Sequence, residues 1–122
     1  MILVDTSIWI EHFRRGSRRL ASLLDEEQVA MHPFVIGELA CGTLGKRREI
    51  LALLHALPYA LRPEDDEMLH FIEARRLAGR GIGLVDMHLL ASCVVGGHRL
   101  WTRDARLRDV AEDLAVAIES AS

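Results

Sequence analysis

Several residue types are scarce in this chain of 122 residues, and each shortage excludes a class of protein. The two cysteines, Cys41 and Cys93, lie far apart without C-x-x-C spacing, which excludes a disulfide scaffold and a cysteine zinc site. Both lie in apolar helical segments, so we expect them to pack in the core. No apolar run approaches the roughly 18 residues of a membrane span, and no basic stretch precedes the first apolar residues. We therefore expect a cytoplasmic protein without a membrane segment.

Lysine is rarer still, because Lys46 is the only lysine beside 14 arginines. Arginine grips phosphate with a planar fork of donors, and GC-rich coding is the alternative explanation of the bias. The net charge of −3 argues against indiscriminate binding of nucleic acid. Half of the residues are hydrophobic, so we expect a partner or a second copy to cover part of the apolar surface.

Alternating strand and helix patterns predict a single α/β domain over residues 1–122. The predicted strands are short and apolar, and they cover residues 2–5, 29–31, 58–61, 99–102 and 114–118. Helices are predicted over residues 7–15, 17–24, 33–44, 47–57, 63–80, 84–95 and 104–113. The helix over 84–95 is apolar nearly all round, which predicts a central position.

Four acidic residues stand in apolar surroundings. Asp5 ends the first strand, and Asp104 follows the strand over 99–102. Because the carboxyl ends of parallel strands form the ligand crevice of an open α/β sheet, these two acids are expected at one edge. Glu38 lies inside "FVIGELA" and Asp86 inside "GLVDMHLLA". Three of the four acids have an ordinary structural explanation. Asp5 and Asp104 are suited to capping helices, and Asp86 is suited to the start of a helix. Glu38 has no such explanation.

Electrostatic repulsion limits what four clustered acids can do. Two carboxylates about 4 Å apart repel by roughly 4 kcal/mol at an effective dielectric constant of 20. Several such pairs would rival the total stability of a small domain, which is on the order of 5–15 kcal/mol. Protonation, pairing with arginine or a bound cation must therefore relieve the repulsion. Oxygen ligands without clustered histidine or cysteine suit Mg²⁺ or Mn²⁺ rather than Zn²⁺.

Four segments together resemble the PIN-domain family, and specifically the VapC-type toxin ribonucleases of type II toxin–antitoxin pairs. The segments are "LVDTS", "GEL" around Glu38, "GLVDMHLLAS" around Asp86 and "LWTRDARL" around Asp104, in the order and at the spacing of the family. Each segment alone is a weak signal, and the ordered set spans almost the whole chain. The resemblance implies a three-layer fold, with a central parallel sheet of about five strands flanked by helices.

The resemblance also implies an activity, a cofactor and partners. The expected activity is Mg²⁺- or Mn²⁺-dependent cleavage of RNA, and the expected partners are a VapB-type antitoxin and a second copy in a homodimer. Four residues match the acidic positions that bind metal and catalyse in the family, namely Asp5, Glu38, Asp86 and Asp104. Thr6 and Thr102 match supporting hydroxyl positions. Candidate RNA-binding residues are Arg14, Arg15, Arg103 and Arg106, with Arg18, Arg19 and Arg108 in the same groups, and a third group is Lys46, Arg47 and Arg48.

One position departs from the pattern of the family. Many relatives have a further acid two residues after the fourth, where this chain has Arg106, so a second metal site is in question. Two other functions are compatible with an α/β domain of this size. A phospho-receiver domain has Mg²⁺-binding acids but needs a lysine after a late strand, whereas Lys46 lies between two predicted helices. A PIN-like module that only binds a partner need not retain four acids.

Overall fold

The computed structural model describes residues 1–119, so the last three residues of the predicted 1–122 domain lie outside the described residues. Strands and helices alternate along the described chain. They are β1 (Ile2–Val4), α1 (Thr6–Arg15), α2 (Arg18–Asp25), β2 (Val29–Ala30), α3 (Pro33–Cys41), α4 (Arg47–His55), α5 (Asp65–Ala74), α6 (Leu84–Gly96), β3 (Arg99–Trp101) and α7 (Ala105–Asp113).

The three strands form a parallel sheet in the order β2-β1-β3, which confirms the predicted α/β class. The chain moves from β1 to β2 through α1 and α2, and then returns across β1 to β3 through α3 to α6. The adjacent carboxyl ends of β1 and β3 are therefore the point where the connections diverge, which is where ligands bind in open α/β sheets.

The prediction of about five strands was too high. Residues 58–61 and 114–118 each contribute one parallel bridge, Met31 with Tyr59 and Leu100 with Ala117, instead of a strand. Two hydrogen bonds make each bridge. Pro58 has no backbone N–H to extend the first bridge. In the second segment, Ala115 adopts a left-handed backbone with φ of 60°, so the extended chain begins only after it.

Two other expectations were wrong. The helix predicted over 63–80 covers only Asp65–Ala74, because Arg76 turns into the left-handed region with φ of 55°. That turn lets Leu77, which is buried, fold back so that its backbone N–H donates to the carbonyl oxygen of Ile72. Cys41 is exposed at the end of α3, whereas Cys93 is buried as predicted.

Among the described residues, no helix is long and apolar enough to cross a membrane.

Helix α6 occupies the centre of the fold, as its all-round apolar sequence predicted. Each residue from position 87 to position 93 is buried. One of them, His88, lies with its ring centroid 6.4 Å from that of His32, which is fully buried. His32 caps α3, since its Nδ1 accepts a hydrogen bond from the backbone N–H of Phe34 at 3.0 Å. Burial, His88 and Arg62 lower the pKa of His32 to about 4, so the imidazole is neutral at neutral pH.

Candidate active site

Asp5 lies directly after β1 and is buried. Its carboxylate caps α1, because Oδ1 accepts a hydrogen bond from the backbone N–H of Thr6 at 2.8 Å. The other oxygen, Oδ2, accepts hydrogen bonds from the hydroxyls of Thr102 at 2.7 Å and Ser7 at 3.1 Å. The carboxylate is therefore held by donors from both strand ends. Capping of a helix and membership of the acidic cluster are compatible roles for this one side chain.

Thr102 connects the end of β3 to Asp5. Its buried hydroxyl donates to Asp5 and accepts a hydrogen bond from the backbone N–H of Asp104 at 3.1 Å. The carboxylate of Asp104 caps α7, since Oδ1 accepts from the backbone N–H groups of Arg106 at 2.9 Å and Leu107 at 3.2 Å. Asp104 is exposed, so this end of the cluster faces solvent.

Glu38 contacts the start of α1 from another helix. It lies in α3, which packs against α1, and its side chain is exposed to solvent. Its Oε1 accepts a hydrogen bond from the hydroxyl of Thr6 at 2.8 Å. Thr6 therefore touches two of the four acids, Glu38 through its hydroxyl and Asp5 through its backbone N–H. This contact supplies the partner that a mid-helix glutamate in apolar company requires.

Asp86 lies in the first turn of α6 and is partly buried. Burial, as the largest cause, and the charges of Asp5, Asp104 and Glu38 together raise its pKa from 3.8 to about 6. A backbone hydrogen bond involving Gly83 acts in the opposite direction. The charges of the other three acids therefore all reach Asp86.

Arginine does not relieve this repulsion. Within residues 1–119, the ion pairs join Arg15 and Arg103 to Glu11, and Arg80 to Asp113, so none of them includes a member of the cluster. Of the three solutions considered for clustered acids, two remain: a proton on Asp86 or a bound cation.

The chemistry of the donors fits a hard cation. Carboxylate and hydroxyl oxygens surround the carboxyl ends of β1 and β3, and these are the ligands that Mg²⁺ and Mn²⁺ prefer. A divalent ion would also relieve the repulsion that, after burial, raises the pKa of Asp86. In the described part of the chain, however, no three acidic, histidine or cysteine side chains converge on one position that could hold an ion. The four acids therefore interact electrostatically without forming a preformed metal-binding site.

The arginines predicted to bind RNA differ in their surroundings. Arg103 and Arg15 both contact Glu11, at 2.7 Å and 3.5 Å, which neutralises part of their charge. The guanidinium of Arg106 lies against Gly81, where an added Cβ would be 3.0 Å from Nη1. Arg14 is exposed near the end of α1. A role in RNA binding remains a prediction for these residues.

Sequence reasoning missed Ser7 as part of the site. Its hydroxyl donates to Asp5 and accepts a hydrogen bond from the backbone N–H of Arg103 at 3.2 Å. Ser7 thus ties the start of α1 to the loop between β3 and α7. The run Asp-Thr-Ser directly after a buried strand was the available signal, because hydroxyls one and two residues after a capping aspartate are close to its carboxylate.

Comparison with known proteins identifies the family. Residues 2–113 match the model of the PIN domain family, which covers most of the chain. This chain belongs to the PIN-domain family. The PIN domain is also similar to two curated proteins named Ribonuclease VapC32, from Mycobacterium tuberculosis strains CDC 1551 / Oshkosh and ATCC 25618 / H37Rv. Each is 48% identical over 119 residues, which cover 97% of this chain and 96% of the relative. The predicted resemblance to VapC-type PIN domains is confirmed.

Proposed function

We propose that this single PIN domain is a metal-dependent endoribonuclease and the toxin of a VapBC-type toxin–antitoxin pair. The observation that supports the proposal is that the charges of Asp5, Asp104 and Glu38 all act on Asp86, whose pKa is raised by burial and by these three acids. Membership of the PIN-domain family and identity of 48% to two VapC32 ribonucleases support the same function.

Asp5, Asp86 and Asp104 would hold Mg²⁺ or Mn²⁺, and Glu38 would either hold the ion or orient the attacking water. When bound, the ion supplies positive charge that attracts the RNA phosphate and activates water for in-line attack. The reaction is hydrolysis: an oxygen–phosphorus bond forms from water, and the bond from phosphorus to the 3′ oxygen breaks. The products then carry 5′-phosphate and 3′-hydroxyl ends.

Hydroxyl groups fix the orientation of the acids before any substrate arrives. Thr102 and Ser7 both donate to Oδ2 of Asp5, and the backbone N–H of Thr6 donates to Oδ1. Together these donors hold the carboxylate of Asp5 in one orientation, as outer hydrogen-bond partners do for residues that bind a cation. The hydroxyl of Thr6 orients Glu38 in the same way. These residues act by positioning the acids and need not touch the RNA.

The test is cleavage of RNA by purified protein with Mg²⁺ or Mn²⁺, compared with the Asp86→Asn variant. Asp109→Asn is a matched control, because Asp109 is exposed on α7 and undergoes the same chemical change. We expect the wild type and the control to cleave, and Asp86→Asn to lose both cleavage and growth inhibition while remaining folded. Cyclic 2′,3′-phosphate products would rule out the hydrolytic chemistry. Absence of cleavage with any divalent metal would favour a module that only binds a partner.

The expected partners are an RNA substrate, a VapB-type antitoxin whose tail brings a basic side chain into the acidic cluster, and a second copy in a homodimer, all in the cytoplasm. Large apolar side chains on several helices are exposed and support a covered surface; examples are Leu53, Leu69, Leu84 and Val95. Sedimentation of the purified protein tests the homodimer, and co-purification with the product of a short upstream reading frame tests the antitoxin.

A further inference from the structure

A cavity of about 310 Å³ lies beside the acidic cluster, on the other side of Thr102. Arg19 of α2, Trp101 at the end of β3 and Arg108 of α7 line it, together with Thr102 and the segment 117–119. Three separate parts of the chain thus bring two guanidinium groups and one indole to the same hollow. None of these three side chains takes part in the acidic cluster described above.

Both guanidinium groups are already oriented. In Arg19, Nη2 donates to the carbonyl oxygen of Glu119 at 2.6 Å, and the guanidinium carbon lies 5.0 Å from the centroid of the Trp101 ring. In Arg108, Nη2 donates to the carbonyl oxygen of Thr102 at 3.2 Å. Each contact uses one of the five N–H donors of the guanidinium, so further donors remain for a ligand.

The described residues that line the cavity include two arginines and one acid, so their net charge is positive. Neither Arg19 nor Arg108 forms an ion pair with a carboxylate anywhere in residues 1–119. Among the residues that line the cavity, Glu119 is the acidic one, and it bonds Arg19 through its backbone carbonyl. This differs from Arg15 and Arg103, which share Glu11. Two oriented guanidinium groups that form no ion pair within the described residues are suited to a phosphate, whose oxygens accept from planar forks of donors.

Thr102 joins this cavity to the acidic cluster. Its carbonyl oxygen accepts from Arg108, while its hydroxyl donates to Asp5. An anion held by the two arginines would therefore lie next to Thr102, the residue whose hydroxyl contacts the proposed catalytic residue Asp5. An acidic cluster repels a polyanionic strand, so a neighbouring cationic hollow is where such a strand can be retained.

We propose that the Arg19–Trp101–Arg108 cavity binds a backbone phosphate of the RNA strand, next to the phosphate that is cleaved. This inference rests on the proposed ribonuclease function and deepens it by assigning a substrate-holding subsite. Trp101 supports the subsite by stacking under Arg19 and holding its guanidinium in place. Because a phosphate contact carries no base information, the subsite contributes affinity without sequence preference.

The experiment measures binding of a short single-stranded oligouridylate in EDTA, so that cleavage does not enter. We expect Arg19→Gln and Arg108→Gln each to raise Kd by about tenfold, and the double variant to lower the slope of log K against log salt by roughly 0.7. Arg108→Lys keeps the charge and should retain most of the salt slope. If Arg108 had only a structural role, the Lys and Gln variants would have the same salt slope. Arg75→Gln on the exposed end of α5 is the matched control.

A second readout localises the probe. Trp9 is buried, whereas Trp101 is partly exposed in the cavity, so the oligonucleotide should change the emission of Trp101 alone. The change should disappear in Trp101→Phe. The inference is overturned if Kd and salt slope match those of Arg75→Gln, or if an oligoglutamate peptide binds the cavity more tightly than the RNA does. Failure of the proposed function gives a different result, because wild-type protein would then bind RNA but not cleave it with metal.

Discussion

Asp86→Asn is expected to stabilise the folded protein while it abolishes the proposed activity. The folded state disfavours ionised Asp86, because its pKa rises from 3.8 to about 6. For a carboxyl group with a raised pKa, the penalty is absent below the unfolded pKa, grows between the two values and is complete above the folded pKa. At neutral or higher pH the neutral amide therefore removes an unfavourable charge.

The size of the effect follows from the pKa difference. A difference of roughly two pKa units corresponds to about 3 kcal/mol, because each unit is 1.36 kcal/mol. This value is an upper bound. Asp86 is only partly buried, so solvent screens part of the repulsion, and we expect a gain of about 1–2 kcal/mol. Since Asn has nearly the shape of Asp, little packing changes with the charge.

Urea denaturation in EDTA measures this gain. The free energy of unfolding of Asp86→Asn should exceed that of wild type at about pH 8 and equal it near pH 4. Adding Mg²⁺ should stabilise the wild type and not the variant, because an ion that binds only the folded state raises its stability. The surface variant Asp109→Asn should show neither effect. A gain of the same size at both pH values, or no gain at all, would refute the electrostatic reasoning.

Two further predictions concern residues that hold the fold and the site in place. The pKa of buried His32 is lowered to about 4, so stability should fall as pH drops from 6.5 toward 4, by up to about 3 kcal/mol, and urea denaturation of His32→Gln should lack this dependence. Thr102→Val should cost about 1–3 kcal/mol and lower the cleavage rate at least about tenfold, because Asp5 loses a buried donor. Thr43→Val, at an exposed position, is the control for both measurements, and equal behaviour of the two threonine variants would contradict the proposed positioning role.

The central part of the fold could be predicted because it depends on strong local patterns. The run that became β1 is apolar, the run that became β3 has two apolar residues after Arg99, and polar residues follow both, so their existence and their shared edge followed from the sequence. The outer strands could not be predicted reliably, since Pro58 and the left-handed Ala115 limit pairing to single bridges. Cys41 was misplaced because apolar helical neighbours do not show which face of α3 is exposed.

The candidate site was predictable to a different degree. The expectation that the four acids lie near one another followed from strand ends and family spacing, whereas the hydrogen bonds of Asp5, Glu38 and Asp104 depend on tertiary contacts. Thr102 and Asp5 are separated by 97 positions in the chain, so no local pattern indicates that they touch. The same holds for the cavity between Arg19 and Arg108, which exists only because α2, β3 and α7 meet.

Asp5 and Asp104 each begin a helix as well as belonging to the acidic cluster, and this double duty affects how inactive alleles should be made. Replacing either aspartate with alanine removes a cap, at a cost of about 1 kcal/mol, and can lower the amount of protein in a cell several-fold. Absence of growth inhibition by such a variant would then reflect the low amount of protein as much as the loss of RNA cleavage. Asparagine caps helices as well as aspartate does, so this substitution removes the negative charge without lowering the amount of folded protein.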